Sequence, residues 1–479
     1  MRVTPRCAIG TATGTDSLDP AATLRTPAAP MQRISTSRRS TLESLRSTKS
    51  KFASLPAGYG PLYFASEVLP DGRVVINGGE ENLGVMTALT TLGAIYYPSL
   101  GAWTNVPPPA RWTMTGPIGD AQSVVLNDGT YMLASCCSFP PLEALFNATP
   151  PFTSASWTAT GRGKAGYQDE EGWTVLPNGN VLTVDVAACN KNSEIYSAVT
   201  GTWGNAGSTI VELSTCSGSL AASEIGPMVL RPDGTLVAFG GVNEGTDPTA
   251  IYNSPTGTWV AGPTIPSISG IPYTLADAPA AVEPSSTVLF AASPSNWTAI
   301  MGSGSYPSPT HFFELSPTNA ITQVADTLTA STSSSYYYNF LVLPNGQILE
   351  TDFSPVAEVY TPVGSPNPAW APVINTSPTD VTRAHTYQLT GTQFNGLTHG
   401  AAYGDNVQAN TNYPIVKIVN IASGHVFYER TSGFNTMSVA PGTASSTNFT
   451  VSGTTEIGPS TLYVIANGIS STGVLVVVH

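Results

Sequence analysis

Few side chains in this sequence could do chemistry, and the histidines and cysteines are the first to consider. The chain has 5 histidines and 5 cysteines among 479 residues. No two cysteines have the Cys-x-x-Cys spacing, so a zinc cage is not predicted. The neighbours Cys136 and Cys137 would point to opposite faces of a strand, and we expect one buried and one exposed thiol. A disulfide between Cys189 and Cys216 remains open.

Carboxylates are stronger candidates, because they recur at one place in an internal repeat. One pattern occurs six times: an apolar strand, a turn of Pro or Asn followed by Asp or Asn and Gly, and a second apolar strand. The residue before the Asp-Gly or Asn-Gly pair stands at positions 70, 127, 177, 232, 284 and 344, and the fifth copy is degenerate. The place seven residues earlier holds Tyr63, Asp120, Glu170, Ile225 beside Glu224, Asp277 and Tyr337.

These residues must be positioned by the strands of the repeat. Asp-Gly and Asn-Gly pairs favour tight hairpins, because Gly and Asn adopt positive φ at low cost. Each hairpin is followed by a strand in which a small, an apolar and an aromatic residue succeed one another. A Gly-x-Trp sequence often comes next, as in Gly201-Thr-Trp203 and Gly257-Thr-Trp259. Four strands in every 50 to 60 residues are typical of a propeller blade, and the aromatic residues are predicted to fill the spaces between blades.

The glycine doublets Gly78-Gly79 and Gly240-Gly241, with the downstream Tyr and Trp, resemble the kelch pattern. The region 56–366 therefore resembles the kelch propeller of galactose and glyoxal oxidases. The resemblance implies an all-β fold with six blades, or seven as the alternative. Short alternating segments in 371–479 resemble the early-set, immunoglobulin-like β-sandwich of the same proteins. Residues 1–55, rich in Arg, Ser and Thr, are predicted to be a disordered segment.

The oxidase resemblance also implies a copper ion held by two tyrosines and two histidines, one tyrosine being crosslinked to a cysteine. In the oxidases two of these ligands are a neighbouring Tyr-His pair. The matching position here has Tyr336-Tyr337, so the tyrosine is present and the histidine is not. The place of the second histidine, in the segment from Tyr403, holds Gln408, a poor copper ligand. A shifted alignment would bring in His399 instead. We therefore expect no copper and no catalytic residues.

The matched residues are predicted to surround the mouth of the central channel. They are Tyr63, Asp120, Glu170, Glu171, Glu224, Asp277, Tyr336 and Tyr337. One interpretation makes them solvated loop residues or hydrogen-bond partners of neighbouring blades. Another makes them an acidic mouth, edged by aromatic rings, that binds a hard cation such as Ca²⁺ or a sugar. Paired carboxylates could also support glycoside acid–base chemistry.

Charge and composition restrict the class of partner. Only 10% of residues are charged, and 9 of the 18 Lys and Arg fall in residues 1–51. The remainder carries 9 bases against 28 acids and would repel nucleic acid and anionic membrane. No apolar run is long enough to span a membrane. No signal peptide is visible, yet the Thr/Ser/Gly-rich body suggests an extracellular or periplasmic monomer.

These observations favour a kelch-repeat protein that acts as a non-catalytic binding propeller for a carbohydrate or protein partner. Two alternatives remain. One is a diverged galactose or glyoxal oxidase-like enzyme with an altered metal site. The other is an extracellular scaffold protein whose C-terminal sandwich binds a partner.

Overall fold

The computed structural model describes residues 53–85, 88–110, 112, 117–186, 191–215, 224–295, 306–404 and 407–479. The segment predicted to be disordered lies almost wholly outside this part of the chain, as do Cys189 and Cys216. The described residues are all-β, with three short 3-10 helices at Ser154–Ser156, Ser335–Tyr337 and Pro368–Trp370. None of the described helices is long and apolar enough to cross a membrane.

Five four-stranded antiparallel blades, each with its strands paired in chain order, form a propeller-like arrangement. The first blade contains Ala65–Val68, Val74–Asn77, Gly93–Tyr97 and Ala102–Asn105, and the second Ser123–Val125, Tyr131–Ser135, Leu142–Phe146 and Trp157–Thr160. The third contains Thr174–Val175, Val181–Val184, Asn192–Ser197 and Thr202–Ser208, and the fourth Met228–Leu230, Thr235–Phe239, Thr249–Asn253 and Thr258–Ala261. The fifth contains Pro279–Val282, Val288–Pro294, His311–Leu315 and Ile321–Gln323.

The sixth repeat forms a three-stranded antiparallel sheet of Asn339–Val342, Ile348–Thr351 and Ala357–Tyr360. The first strands of the six repeats contact one another in chain order, from the first blade to this sheet. Two short pairings lie beside the blades: Pro61–Leu62 with Glu81–Asn82, and Tyr273–Thr274 with the second strand of the fifth blade.

The hairpin turns of the repeat show why their sequence recurs. Glycine occupies the left-handed position in five of the six turns, with φ between 83° and 89° at Gly72, Gly129, Gly179, Gly234 and Gly346. In the degenerate fifth copy this position is taken by Ser286, with φ 73°. The Ser286 hydroxyl is buried and has no hydrogen-bond partner among the described residues. The fifth turn therefore keeps the backbone shape of the others with a residue that is poorly suited to it.

Tryptophans of the fourth strands join neighbouring blades, as the repeat predicted. The indole N–H of Trp157 donates to the carbonyl oxygen of Pro107 at 2.8 Å, after the first blade. That of Trp203 donates to Glu143 Oε1 in the second blade at 3.1 Å. The interfaces are thus filled by large rings whose polar atoms are satisfied by the preceding repeat.

The C-terminal residues form a further nine-stranded sheet that curves as a half-barrel. Its core includes Leu389, Val416, Phe449 and Leu462, all fully buried. Its strands are Val373–Thr376, Asp380–Val381, Thr386–Thr392, Ile415–Asn420, Val426–Ser432, Ala444–Thr450, Gly458–Ala466, Ile469–Ser470 and Val474–Val478.

A hairpin of Gly400–Tyr403 and Val407–Asn410 leaves this sheet and enters the propeller, and we call it the channel hairpin. Its first strand pairs antiparallel with Pro279–Val282 of the fifth blade. It also contacts the first strands of the first and fourth blades and of the sixth repeat. Just before the hairpin, His399 Nε2 lies 2.9 Å from the carbonyl oxygen of Val175 in the third blade. The centre of the propeller is therefore filled by a segment from the C-terminal part of the chain.

The fifth turn gives a test of the repeat. We expect Ser286→Gly to raise the free energy of unfolding by about 1 kcal/mol, because it relieves a left-handed conformation and removes a buried hydroxyl without a partner. The reciprocal change Gly234→Ser, at φ 84° with no atom nearer than 3.6 Å to a new Cβ, should lower it by a similar amount. Urea unfolding of both variants measures the effect. An unchanged or less stable Ser286→Gly variant would contradict the explanation.

Candidate functional site

The connections that enter each first strand and those after each second strand lie at the same end of the blades. This follows from the antiparallel order, since the tight turns within strand pairs one–two and three–four occupy the other end. Three of the matched residues adopt positive φ there: Tyr63 at 51°, Glu170 at 57° and Asp277 at 49°. This conformation is costly for residues other than Gly, and it turns the chain sharply at the same place in three repeats.

Three of the predicted carboxylates come together at this end. Carboxylate oxygens of Glu170, Glu224 and Asp277 lie within 4.8 Å of one another, so that they could share one cation. The three residues are half-buried and come from the connections into the third, fourth and fifth blades. Glu224 Oε2 is buried without a hydrogen-bond partner among the described residues. We call Glu170, Glu224 and Asp277 the carboxylate trio.

Tyrosines surround the trio. Burial and the nearby Asp277 and Tyr336 raise the pKa of Tyr63. Tyr336 and Tyr337 contact each other at 4.4 Å between ring centroids, and the ring of Tyr337 also packs on exposed Phe353 at 4.9 Å. All of the predicted tyrosines are half-buried, so each keeps some contact with solvent. The mouth is therefore edged by aromatic rings, with hydroxyl groups near the acids.

Several acids at the mouth lie close enough to raise one another's pKa. Burial, followed by the charges of Glu224 and other acids, raises the pKa of Glu80 from 4.5 to about 7. Burial and Glu224 likewise raise the pKa of Asp169 from 3.8 to about 6. A cation placed among these groups would relieve their repulsion, whereas an anionic ligand would add to it.

Several mouth residues were missed by the sequence reasoning. Tyr306 is almost fully buried, and its hydroxyl donates to Asn243 Oδ1 at 2.7 Å. Burial, followed by the charges of the whole trio, raises its pKa. It comes from the loop after the second strand of the fifth blade, as Glu80 does in the first, and the repeat alignment covered only the connections into first strands. A search of the loops after each second strand would have found both.

The channel hairpin also reaches the mouth. The hydroxyl of Tyr403 donates to the carbonyl oxygen of Tyr336 at 2.8 Å, and its ring stacks near that of Tyr63 with centroids 6.1 Å apart. Gly404 lies against Asp277, where an added Cβ would be 3.1 Å from the Asp277 Cα. Tyr403 was noted in the sequence only as part of a segment that resembles a copper-binding one, so its contribution to the mouth was not predicted.

Two of the predicted carboxylates, Glu171 and Asp120, are not part of the trio. Glu171 is fully buried and points into the protein, where its Oε2 pairs with Lys164 Nζ at 2.9 Å. The same ammonium group pairs with Glu194 Oε2 at 2.6 Å, and both side chains of the Lys164–Glu171 pair are fully buried. Asp120 is buried at the matched place in the second blade but lies outside the trio. The interpretation as a structural hydrogen-bonding acid fits Glu171.

The histidines do not assemble the copper ligands that the oxidase resemblance implies. Neither of the two groups of three metal-ligand side chains found among the described residues contains a histidine. Half-buried His399 contacts the third blade, and desolvation lowers its pKa. The others contact surface groups: His311 with Asp326, His425 with Glu456, His479 with Asp380, and His385 with the Arg383 carbonyl oxygen.

The prediction for Cys136 and Cys137 was wrong. The strand ends at Ser135, so the two cysteines lie in a turn rather than on opposite faces of a strand. They are joined to each other by a disulfide. Cys137 Sγ lies 3.5 Å from Asp169 Oδ1, and the two sulfurs with this carboxylate form the second group of three metal-ligand side chains.

The similarities to known proteins are distant. No protein-family model and no curated protein sequence match this chain. Among solved structures, the hydrazine synthase of Kuenenia stuttgartiensis is 13% identical with a TM-score of 0.41, over 63% of this chain and 76% of that chain. A mutant of AofleA from Arthrobotrys oligospora, in which arginines are replaced by alanine, is 14% identical with a TM-score of 0.37, over 63% and 84%. We take no ligand or reaction from likenesses of this degree.

Buried acids away from the trio allow a prediction about pH. Burial raises the pKa of Glu67 from 4.5 to about 8, although Asn410 Nδ2 donates to its Oε2 at 2.7 Å. Burial raises the pKa of Glu143 and Glu350 to about 8 as well. Between pH 4.5 and 8 the folded chain thus holds protons that the unfolded chain releases, so the free energy of unfolding should fall as pH rises through this window.

We expect a higher melting temperature at pH 5 than at pH 8.5. The variant Glu67→Gln should flatten this dependence by an amount on the order of a few kcal/mol, because its side chain has no proton to lose. Scanning calorimetry across the pH range measures it, with the exposed Glu212→Gln as the control that should leave the profile unchanged. A wild-type melting temperature that rises between pH 5 and 8.5 would contradict the assignment.

Proposed function

We propose that the protein is a non-catalytic binding propeller whose mouth binds a carbohydrate through a calcium ion. The observation that carries the proposal is the convergence of Glu170, Glu224 and Asp277 within 4.8 Å of one another. These acids are more than 50 residues apart in sequence and meet only because the blades are arranged around one centre.

The chemistry of the trio favours a hard cation. Calcium takes six to eight oxygen ligands, and three carboxylates supply up to six of these. After burial, the charge of Glu224 is the next largest cause of the raised pKa of Glu80 and of Asp169, so further acids lie close to the trio. The donors in the trio are oxygens, which suit calcium better than copper.

A carbohydrate fits the remaining features of the mouth. Neighbouring sugar hydroxyls can complete the coordination of a calcium ion, and sugar rings pack on aromatic faces. The half-buried Tyr63 and Tyr337 and the exposed Phe353 offer such faces around the trio. A neutral polyol also avoids the repulsion that an acidic protein would meet at this surface.

The finer description of the fold belongs to the same proposal. We assign the three-stranded sheet of the sixth repeat as the sixth blade of a kelch-type propeller covering 56–366, with an immunoglobulin-like domain in 371–479. The contacts of the six first strands in chain order support six blades. An extracellular location would supply both the calcium and the oxidising conditions that the Cys136–Cys137 disulfide needs.

Calcium binding is the first test. We expect the full chain to bind a single calcium ion, and Glu224→Gln and Asp277→Asn each to weaken it at least about tenfold by removing a charged ligand. Isothermal titration, with terbium luminescence excited through the nearby tyrosines as a second measurement, follows the binding. The affinity should also fall as pH is lowered from 8 to 6, because Glu80 and Asp169 then take up protons.

The matched control for this titration is Glu212→Gln, which removes an exposed carboxylate outside the trio. It should bind calcium as the wild type does. Equal affinities in the wild type and both trio variants, or no binding by the wild type, would refute the cation site.

Carbohydrate binding is tested on a glycan array with calcium and with a chelator. We expect binding that needs calcium and is lost in Glu224→Gln, because the ion bridges protein and sugar. Binding that persists in the chelator and in the variant would place the ligand on another surface. Capture of a protein partner by both the wild type and Glu224→Gln, with no glycan bound, would replace the proposal with the scaffold alternative.

A further inference from the structure

The Cys136–Cys137 pair is held in place by backbone contacts as well as by its own bond. The Cys136 amide donates to the carbonyl oxygen of Ile118 at 3.1 Å, and the Ser135 hydroxyl donates to that of Pro117 at 2.7 Å. Gly119 packs against Cys136 so closely that an added Cβ would lie 2.7 Å from its sulfur. The position of the two cysteines therefore does not depend on the S–S bond alone.

Asp169 supplies a third group from a different loop. Its Oδ1 lies 3.5 Å from Cys137 Sγ, and its carboxylate is within 4.8 Å of both sulfurs. Phe139 and Tyr167, two residues from Cys137 and from Asp169 respectively, bring the two loops together with ring centroids 5.2 Å apart.

The spacing of these groups suits zinc. In a tetrahedral site with Zn–S near 2.3 Å and Zn–O near 2.0–2.2 Å, a sulfur and an oxygen ligand are about 3.5 Å apart. Cys137 and Asp169 already have this separation. Two thiolates and one carboxylate, completed by water, form an open three-ligand zinc site.

We propose that Cys136, Cys137 and Asp169 form a zinc site when the Cys136–Cys137 disulfide is reduced. In the oxidised protein the disulfide keeps the two sulfurs from binding the metal. A dithiol reductant breaks the S–S bond, becomes a disulfide itself, and leaves its two protons on the cysteine sulfurs. Zinc then binds the two sulfurs and displaces both protons to solvent. Oxidation by another disulfide reverses the step and releases the metal. The site shares the segment 169–170 with the carboxylate trio but does not depend on calcium there.

The test uses cobalt(II), whose thiolate bonds give charge-transfer absorption that carboxylates alone do not. The full chain is reduced with dithiothreitol, freed of reductant without air, and titrated. We expect the thiolate band at one cobalt per chain in reduced protein, and none in oxidised protein. Zinc should then displace the cobalt and remove the band.

Variants decide which residues bind. The double variant Cys136→Ser/Cys137→Ser should show no band, and Asp169→Asn should bind cobalt at least about tenfold more weakly. Glu212→Gln removes an exposed acid outside both proposed sites and should bind cobalt as the wild type does. If the serine variant fails to fold, the comparison of Asp169→Asn with Glu212→Gln still decides, since both keep the cysteines.

Three results would overturn the inference. One is reduced wild-type protein without a thiolate band. Another is a band that survives in the double serine variant, which would assign the metal to Cys7, Cys189 or Cys216. The third is equal affinity in Asp169→Asn and Glu212→Gln. Because calcium titration of oxidised protein is separate, failure here leaves the proposed function standing, and the reverse also holds.

Discussion

The pairing of the channel hairpin with the fifth blade is the constraint on which the rest of the structure depends. Ala401 and Ala402 pair with Ala281 and Ala280, and small side chains are what allow another strand to lie so close to the centre of the propeller. The hairpin satisfies backbone groups on the first strand of the fifth blade that would otherwise face an empty channel. It also brings Tyr403 and Gly404 to the mouth, so the C-terminal part of the chain contributes residues to the mouth.

The same hairpin explains how buried acids are tolerated inside a ring of apolar strands. Glu67 lies on the first strand of the first blade and would be isolated without the amide of Asn410. In the third blade the ammonium group of Lys164 pairs with both Glu171 and Glu194. Some buried acids thus have a local partner, whereas the acids of the carboxylate trio are half-buried at the mouth.

Much of this could be predicted from the sequence, because the repeat is carried by turn chemistry. Asp-Gly and Asn-Gly pairs located the hairpins, and counting back from them placed Glu170 and Asp277 at matched positions and Glu224 beside one, that of Ile225. The method could not separate residues that face the opening from those that face the interior. Glu170 lies at the mouth, whereas its neighbour Glu171 points into the protein, because the positive φ at Glu170 turns the chain between them. The disulfide between Cys136 and Cys137 was missed because the strand was assumed to continue past Ser135.

The buried acids make unfolding a proton-releasing reaction. Carboxyl groups such as those of Glu67, Glu143 and Glu350 hold their protons in the folded chain at neutral pH and lose them to the buffer when the chain opens. The measured heat of unfolding therefore contains the heat of buffer protonation. Buffers with large and small ionisation enthalpies will report different calorimetric enthalpies for the same structural change, and the difference counts the protons that the fold retains.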